Sequence, residues 1–179
     1  MTDATRRPEV LAAVGAVYAA LAGEIAQRRP VCDASGRCCR FEEYGHRLYV
    51  TTAELSAFMR GVGQLSVVSG PLSGGPRRPL PVLTTDDGPR ATDQSGCPFQ
   101  VGKLCGVHAV RPFGCRIFFC DPSAQHWQND AYERFHAEIK DIHGRFGIPY
   151  YYVEWRRALA ALRLTGVTGD RLAAATDSF

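Results

Sequence analysis

The chain has 179 residues, 45% hydrophobic and 22% charged, enough to bury one substantial core. Its 21 basic and 18 acidic residues leave a formal charge of +3, too balanced to point to nucleic acid, so no nucleic-acid partner is expected. No apolar run reaches the roughly eighteen residues that a membrane span needs, so no span is expected either.

Arg6-Arg7 precede an Ala-rich run from Val10 to Gly23, a pattern that export signals share. Glu9 enters the run and Glu24 closes it, and Val10, Leu11, Val14, Val17, Tyr18, Leu21 and Ile25 recur at three-four spacing. A packed helix needs such a stripe and an export signal does not. Residues 8–28 are therefore predicted as an amphipathic helix, with Pro8 in its first turn. The expected compartment is then cytoplasmic, where thiols stay reduced.

Residues 31–40 read as a short cysteine-bearing loop. His46 to Val50 suit a strand, and Thr51-Thr52-Ala53-Glu54 fits a capping box opening a short helix that ends at Met59 or Arg60, before Gly61. Glycine and proline crowd residues 61–98, which argues against long helices there. A strand is expected over Leu80–Thr85 with Asp86-Asp87-Gly88 as its turn, whereas Gly74-Gly75 lacks the lysine and spacing of a phosphate loop. Asp121-Pro122 reads as the cap and first turn of a helix carrying Trp127, Ala131, Phe135, Ile139, Ile142 and Phe146 at steps of four and three, ending near Gly144. Pro149 is expected to open a last helix with Tyr151, Trp155, Leu159 and Leu162 on one face. His136 and His143 on the long helix are read as surface or packing residues, and Tyr150 to Tyr152 with Trp155 as core at helical spacing, or else as the lining of a ligand pocket. The predicted fold is mainly α, a single domain over residues 1–179 with a few short strands. An N-terminal helix (8–28) leads to a loop-rich, cysteine-bearing centre (30–121), C-terminal helices (122–164) and a frayed tail (165–179).

Seven cysteines are too few for a small secreted disulfide scaffold, which takes above roughly 8–10% Cys, and an odd number leaves one thiol over. All seven fall in two short windows, Cys32, Cys38 and Cys39 in the first and Cys97, Cys105, Cys115 and Cys120 in the second. Soft, anionic thiolates are good ligands for zinc and iron, and loops let them converge on a point. All seven are the predicted metal ligands. The second window contains Lys103, Arg111 and Arg116 and no Asp or Glu, as expected where thiolate charge must be compensated. Phe99, Phe113, Phe118 and Phe119 are candidates for shielding sulfur from water, or simply for core.

The windows Cys32-Asp-Ala-Ser35-Gly-Arg-Cys38-Cys39 and Cys97-Pro-Phe … Leu-Cys105-Gly-Val-His108-Ala-Val-Arg111-Pro112-Phe-Gly-Cys115-Arg116-Ile-Phe-Phe-Cys120 resemble the CxxCxxCC family. These are the YkgJ-type cysteine-cluster proteins, described as zinc- or iron-chelating domains. The likeness covers roughly residues 30–121 in order, spacing and the Arg-Pro element. The family pattern has eight cysteines, and its second position holds Ser35 here, a poor zinc ligand. His108 is a candidate replacement ligand, or a packing residue.

Neither paired CxxC knuckles nor ferredoxin spacing is present. Seven thiols suit one four-iron cluster with three to spare, or two zinc ions sharing a thiolate. Iron, as an iron–sulfur cluster or an ion, is placed ahead of zinc. The expected function is a metal-binding protein in a structural, chelating or electron-transfer role, its partner the metal itself and a protein not yet identifiable. The first alternative is a metal-dependent enzyme performing oxidoreduction, or protein-lysine methyl transfer as resemblance to the related flagellin lysine N-methylases implies. No recognisable glycine-rich S-adenosylmethionine loop accompanies that signature. An exported, disulfide-bonded binding protein is the third reading.

Overall fold

The structure, a computed structural model, describes residues 3–67 and 96–164. The expected strand at Leu80–Thr85 with its turn, Gly74-Gly75 and the tail 165–179 lie outside the described residues.

Pro8, whose ring presets a helical φ, opens α1 (Pro8–Arg28). Arg29 closes it in the left-handed region (φ 50°), returning its N–H to the Ile25 carbonyl at 2.9 Å. A 3-10 turn at Arg37–Cys39 follows, then β1 (Tyr49–Thr51), which feeds directly into α2 (Thr52–Val67). The capping box forms: Thr51 N–H donates to Glu54 Oε2 at 2.9 Å, and Glu54 N–H donates to Thr51 Oγ1 at 3.3 Å.

The stop expected before Gly61 does not occur, because α2 runs on to Val67. Gly61 serves a contact instead. A Cβ at that position would lie 2.5 Å from Cγ1 of Val110, so the bare backbone is what lets the 3-10 turn His108–Val110 sit against the helix.

A small hairpin of β2 (Gln100–Val101) and β3 (Leu104–Cys105) turns through Gly102 at φ 62°, where glycine carries no steric cost. Then come α3 (Phe113–Ile117), a 3-10 turn at Pro122–Ala124 and α4 (Gln125–Arg145). Asp121 caps that turn, accepting from the Ser123 N–H at 2.9 Å.

The helix expected from Pro149 begins only at Trp155. Tyr152–Glu154 is instead β4, antiparallel to β1 with Tyr49 opposite Glu154 and Thr51 opposite Tyr152. Backbone pairing with β1 outcompetes the first helical turn there. Glu154 then starts α5 (Trp155–Leu164) by accepting the Arg157 N–H at 3.0 Å. Tyr151 stays 60% exposed, off the face it was expected to share with Trp155, Leu159 and Leu162.

The architecture is mainly helical, with two two-stranded sheets among the described residues. Two apolar clusters hold it. In the first, Val10, Val14, Val17 and Leu21 of α1 meet Ala131, Phe135, Ile139 and Ile142 of α4, with Phe113 and Ile117 of α3. Full burial of each large side chain contributes about 1.5–3 kcal/mol. In the second, Phe41, Val50, Phe58, Trp155 and Leu159 join α2, β1 and α5, and Cys97, Cys105 and Cys115 pack against them.

By length and composition α1 does reach the threshold for crossing a membrane, with a mean hydropathy of 1.6 over eighteen residues. This corrects the expectation drawn from apolar runs: interspersed alanines keep the average high without a continuous large-residue stretch. Here its stripe is packed against α2, α3 and α4.

Candidate metal centre

Backbone contacts join the two cysteine windows. Gly36 adopts φ 75°, and a Cβ on it would lie 2.7 Å from Gln100 Nε2 and 3.0 Å from the Lys103 carbonyl oxygen. Only glycine allows the Arg37–Cys39 turn to come so close to the β2–β3 hairpin. Cys97 N–H then donates to the Cys39 carbonyl at 2.7 Å. Residues 58 positions apart are thereby fixed side by side.

Cys39 is the centre of the resulting group. Interaction of its buried thiol with those of Cys105, Cys38 and Cys97, together with desolvation, holds its pKa far above the ordinary value. The same contacts lower the partners. Cys105 falls to about 6, first through Cys39 and then with help from the Val107 N–H and Arg111, against desolvation. Cys38 falls to about 7 through Cys39, assisted by Arg111. Cys97 is lowered by Cys39, by the Phe99 N–H and by Trp155. Cys115, carried by α3, exposes part of its surface as a residue. Desolvation of its sulfur and the neighbouring Cys97, Cys105 and Cys38 push its thiol up.

The Phe99 and Val107 amides each stand two residues beyond the cysteine they serve, and their N–H groups favour the thiolate form. The Trp155 indole N–H is buried with no hydrogen-bond partner among the described residues. It lies near enough to Cys97 to favour the anionic form of that thiol. Buried donors of this kind are satisfied by an anionic sulfur. Nothing in the sequence linked Trp155 to Cys97; it read as one more residue on an apolar helix face.

The cations divide by role. Arg111 favours the thiolates of Cys38 and Cys105, and its Nε is buried without a partner among the described residues. Arg116 is a clasp: its guanidinium donates to the carbonyls of Arg111 and Ala109 and lies 4.3 Å from the Tyr18 ring centroid. Lys103 is exposed on the β2–β3 turn. His108 is also exposed, and its Nε2 lies 2.6 Å from the Arg111 guanidinium, so that nitrogen is already engaged. Desolvation, Arg111 and Arg116 depress its basicity.

Cys32 is exposed, on a loop tied down where Val31 N–H donates to Asp121 Oδ2 at 3.1 Å. Ser35 Oγ lies 3.8 Å from Cys120 Sγ, so the serine in the family's cysteine position faces the last cysteine of the second window. All seven cysteines are free thiols. Of the four phenylalanines, Phe99 packs beside the thiols with Phe58 and Trp155, Phe113 belongs to the first apolar cluster, Phe119 lies against Trp127, and Phe118 is 38% exposed. On α4, His143 is buried with Nδ1 3.2 Å from the Pro149 carbonyl, a packing role as expected.

Among the described residues, no three His, Cys, Asp or Glu side chains are already closed to the spacing that holds an ion. The donor set nonetheless suits a thiophilic metal: five gathered sulfurs, N–H donors at two of them, a guanidinium alongside, and no carboxylate in the second window. Comparison with family models, curated proteins and solved structures finds no match.

Proposed function

We propose that this chain is a metal-binding protein whose Cys38, Cys39, Cys97, Cys105 and Cys115 thiolates hold iron, as an iron–sulfur cluster or an ion, and otherwise zinc. The observation that carries this reading is the joining of two windows far apart in sequence, where Cys97 N–H bonds the Cys39 carbonyl at 2.7 Å and Cys97, Cys105 and Cys115 pack against one apolar cluster. An ordinary core has no use for several polarised sulfurs. Metal would replace the shared protons and draw the thiols inward, and Arg111 would offset the added negative charge. The resemblance to zinc- or iron-chelating cysteine-cluster domains points the same way, and reduced thiols accord with a cytoplasmic setting. The role is structural, chelating or electron-transferring.

One observation favours the enzymatic alternative of oxidoreduction: Cys38 and Cys115 also line an open cleft. A purely structural site is normally closed. The test is purification without air, followed by a visible spectrum and assays for iron, zinc and acid-labile sulfide. Brown protein with iron and sulfide supports a cluster, and colourless protein with zinc supports the simpler site. Metal-free protein with its cysteines paired overturns the proposal.

A further inference from the structure

A cleft of about 300 Å³ opens between β1, α3 and α4, at the low end of the roughly 300–1,000 Å³ typical of small-ligand pockets. Its apolar walls are flat rings. Tyr49 and Tyr152 stack with centroids 5.2 Å apart, and Phe118 stacks on His46 at the same separation. Tyr49, Phe118 and Tyr152 remain 38–39% exposed, a high value for such large apolar surfaces beside a cavity. A planar guest can cover rings of this kind by offset stacking.

Beside the Cys38 and Cys115 sulfurs, the polar side chains of the cleft are His46, Arg47, Gln128, Asn129 and the tyrosine hydroxyls. Arg47 lines the cleft from the β1 side and is its one Lys or Arg among the described residues. Gln128 already spends its carbonyl oxygen on the Phe119 N–H at 3.1 Å, which leaves its amide hydrogens to offer. The Tyr132 and Tyr152 hydroxyls bond to each other, so one of their two protons remains free to donate. No Asp or Glu lines the cleft. An ammonium ligand would meet Arg47 with only the Cys38 thiolate to offset it, whereas a carboxylate would pair with Arg47 and take the Gln128 amide and tyrosine donors.

We propose that this cleft binds a small planar aromatic carboxylate, its ring against the tyrosine and phenylalanine faces and its charge paired with Arg47. The assignment rests on the lining of the cleft and stands apart from the metal reading. If both hold, the bound ring lies beside Cys38 and Cys115, within reach of whatever those sulfurs ligate.

The test titrates the purified full chain with benzoate, benzylamine and cyclohexanecarboxylate by calorimetry and ligand-observed NMR. Benzoate is expected to saturate at one per chain and to bind more tightly than either analogue. Arg47→Gln, at an exposed position whose replacement leaves both apolar clusters intact, is expected to weaken benzoate about fivefold or more. Tyr152→Leu should weaken it as well. Failure to saturate, equal or tighter binding of either analogue, or unchanged affinity in Arg47→Gln overturns the assignment. Metal content is measured on the same samples. Lost binding with metal retained counts against the cleft alone, and absent metal with binding retained counts against the metal reading alone.

Discussion

Glu54 offers a sharp test of how the cysteine-bearing α3 is anchored. The residue is 1% exposed, and its carboxylate serves three elements at once. Oε2 accepts the Thr51 N–H at 2.9 Å, and Oε1 accepts the Phe113 N–H at 3.0 Å and the Tyr18 hydroxyl at 3.4 Å. Phe113 is the first residue of α3, so this carboxylate holds the helix that carries Cys115 and Arg116. In Glu54→Gln one acceptor oxygen becomes an amide donor, and it must face a buried N–H. One backbone donor is then left unsatisfied, at a cost of about 1–3 kcal/mol. For a chain of this size that is a fall in Tm of roughly 2–12 °C. Urea unfolding across about pH 4 to 8 adds a second readout. Burial raises the Glu54 carboxyl above 4.5, against the lowering effect of the Thr51, Phe113 and Tyr18 hydrogen bonds. A carboxyl raised in the folded state stabilises it fully below the unfolded pKa, and that contribution is lost as pH rises through the folded value. The stability advantage of the native chain over Glu54→Gln should therefore shrink as pH rises through that interval. An advantage that grows with pH, or a variant as stable as the parent at every pH, refutes this reasoning.

Gly61→Ala gains roughly 1 kcal/mol of helix propensity but places its Cβ 2.5 Å from Val110 Cγ1, so a net destabilisation of about 1–3 kcal/mol is expected. A raised Tm would mean that the 108–110 turn yields freely and that the glycine is not a contact device. Cys32→Ser should leave metal content and Tm unchanged, because Cys32 is exposed. Loss of metal in that variant would extend the ligand set to the first window's outer loop.

The long helices were legible because each advertises a private pattern. The stripe of α1, its proline start and the four-three steps of α4 require no knowledge of distant residues, and the capping box at Thr51 to Glu54 is local too. The errors arose where a remote partner decides. Gly61 looks like a stop until Val110 is seen resting on it. Tyr152–Glu154 looks like a first helical turn until β1 pairs with it across about a hundred residues. The β2–β3 hairpin is too short to leave a periodic signature. In the candidate site, the cysteines could be named from their spacing, but their grouping could not. That Cys39 meets Cys97 backbone to backbone follows from the Gly36 approach to the hairpin, which no spacing encodes. Arg47 carried no signal, being an isolated surface cation in the sequence, and Trp155 read as core or pocket lining with nothing to link it to Cys97.

The most direct test of the central claim is the metal content per chain of anaerobically purified parent protein and Cys39→Ser, measured side by side. Binding and folding are coupled where thiolates ligate, so the substitution at the centre of the group should remove most of the metal and lower Tm together. Stoichiometric iron or zinc in the parent, lost in Cys39→Ser, is the predicted result. Full metal retention by Cys39→Ser, or no metal in the parent, would contradict the account.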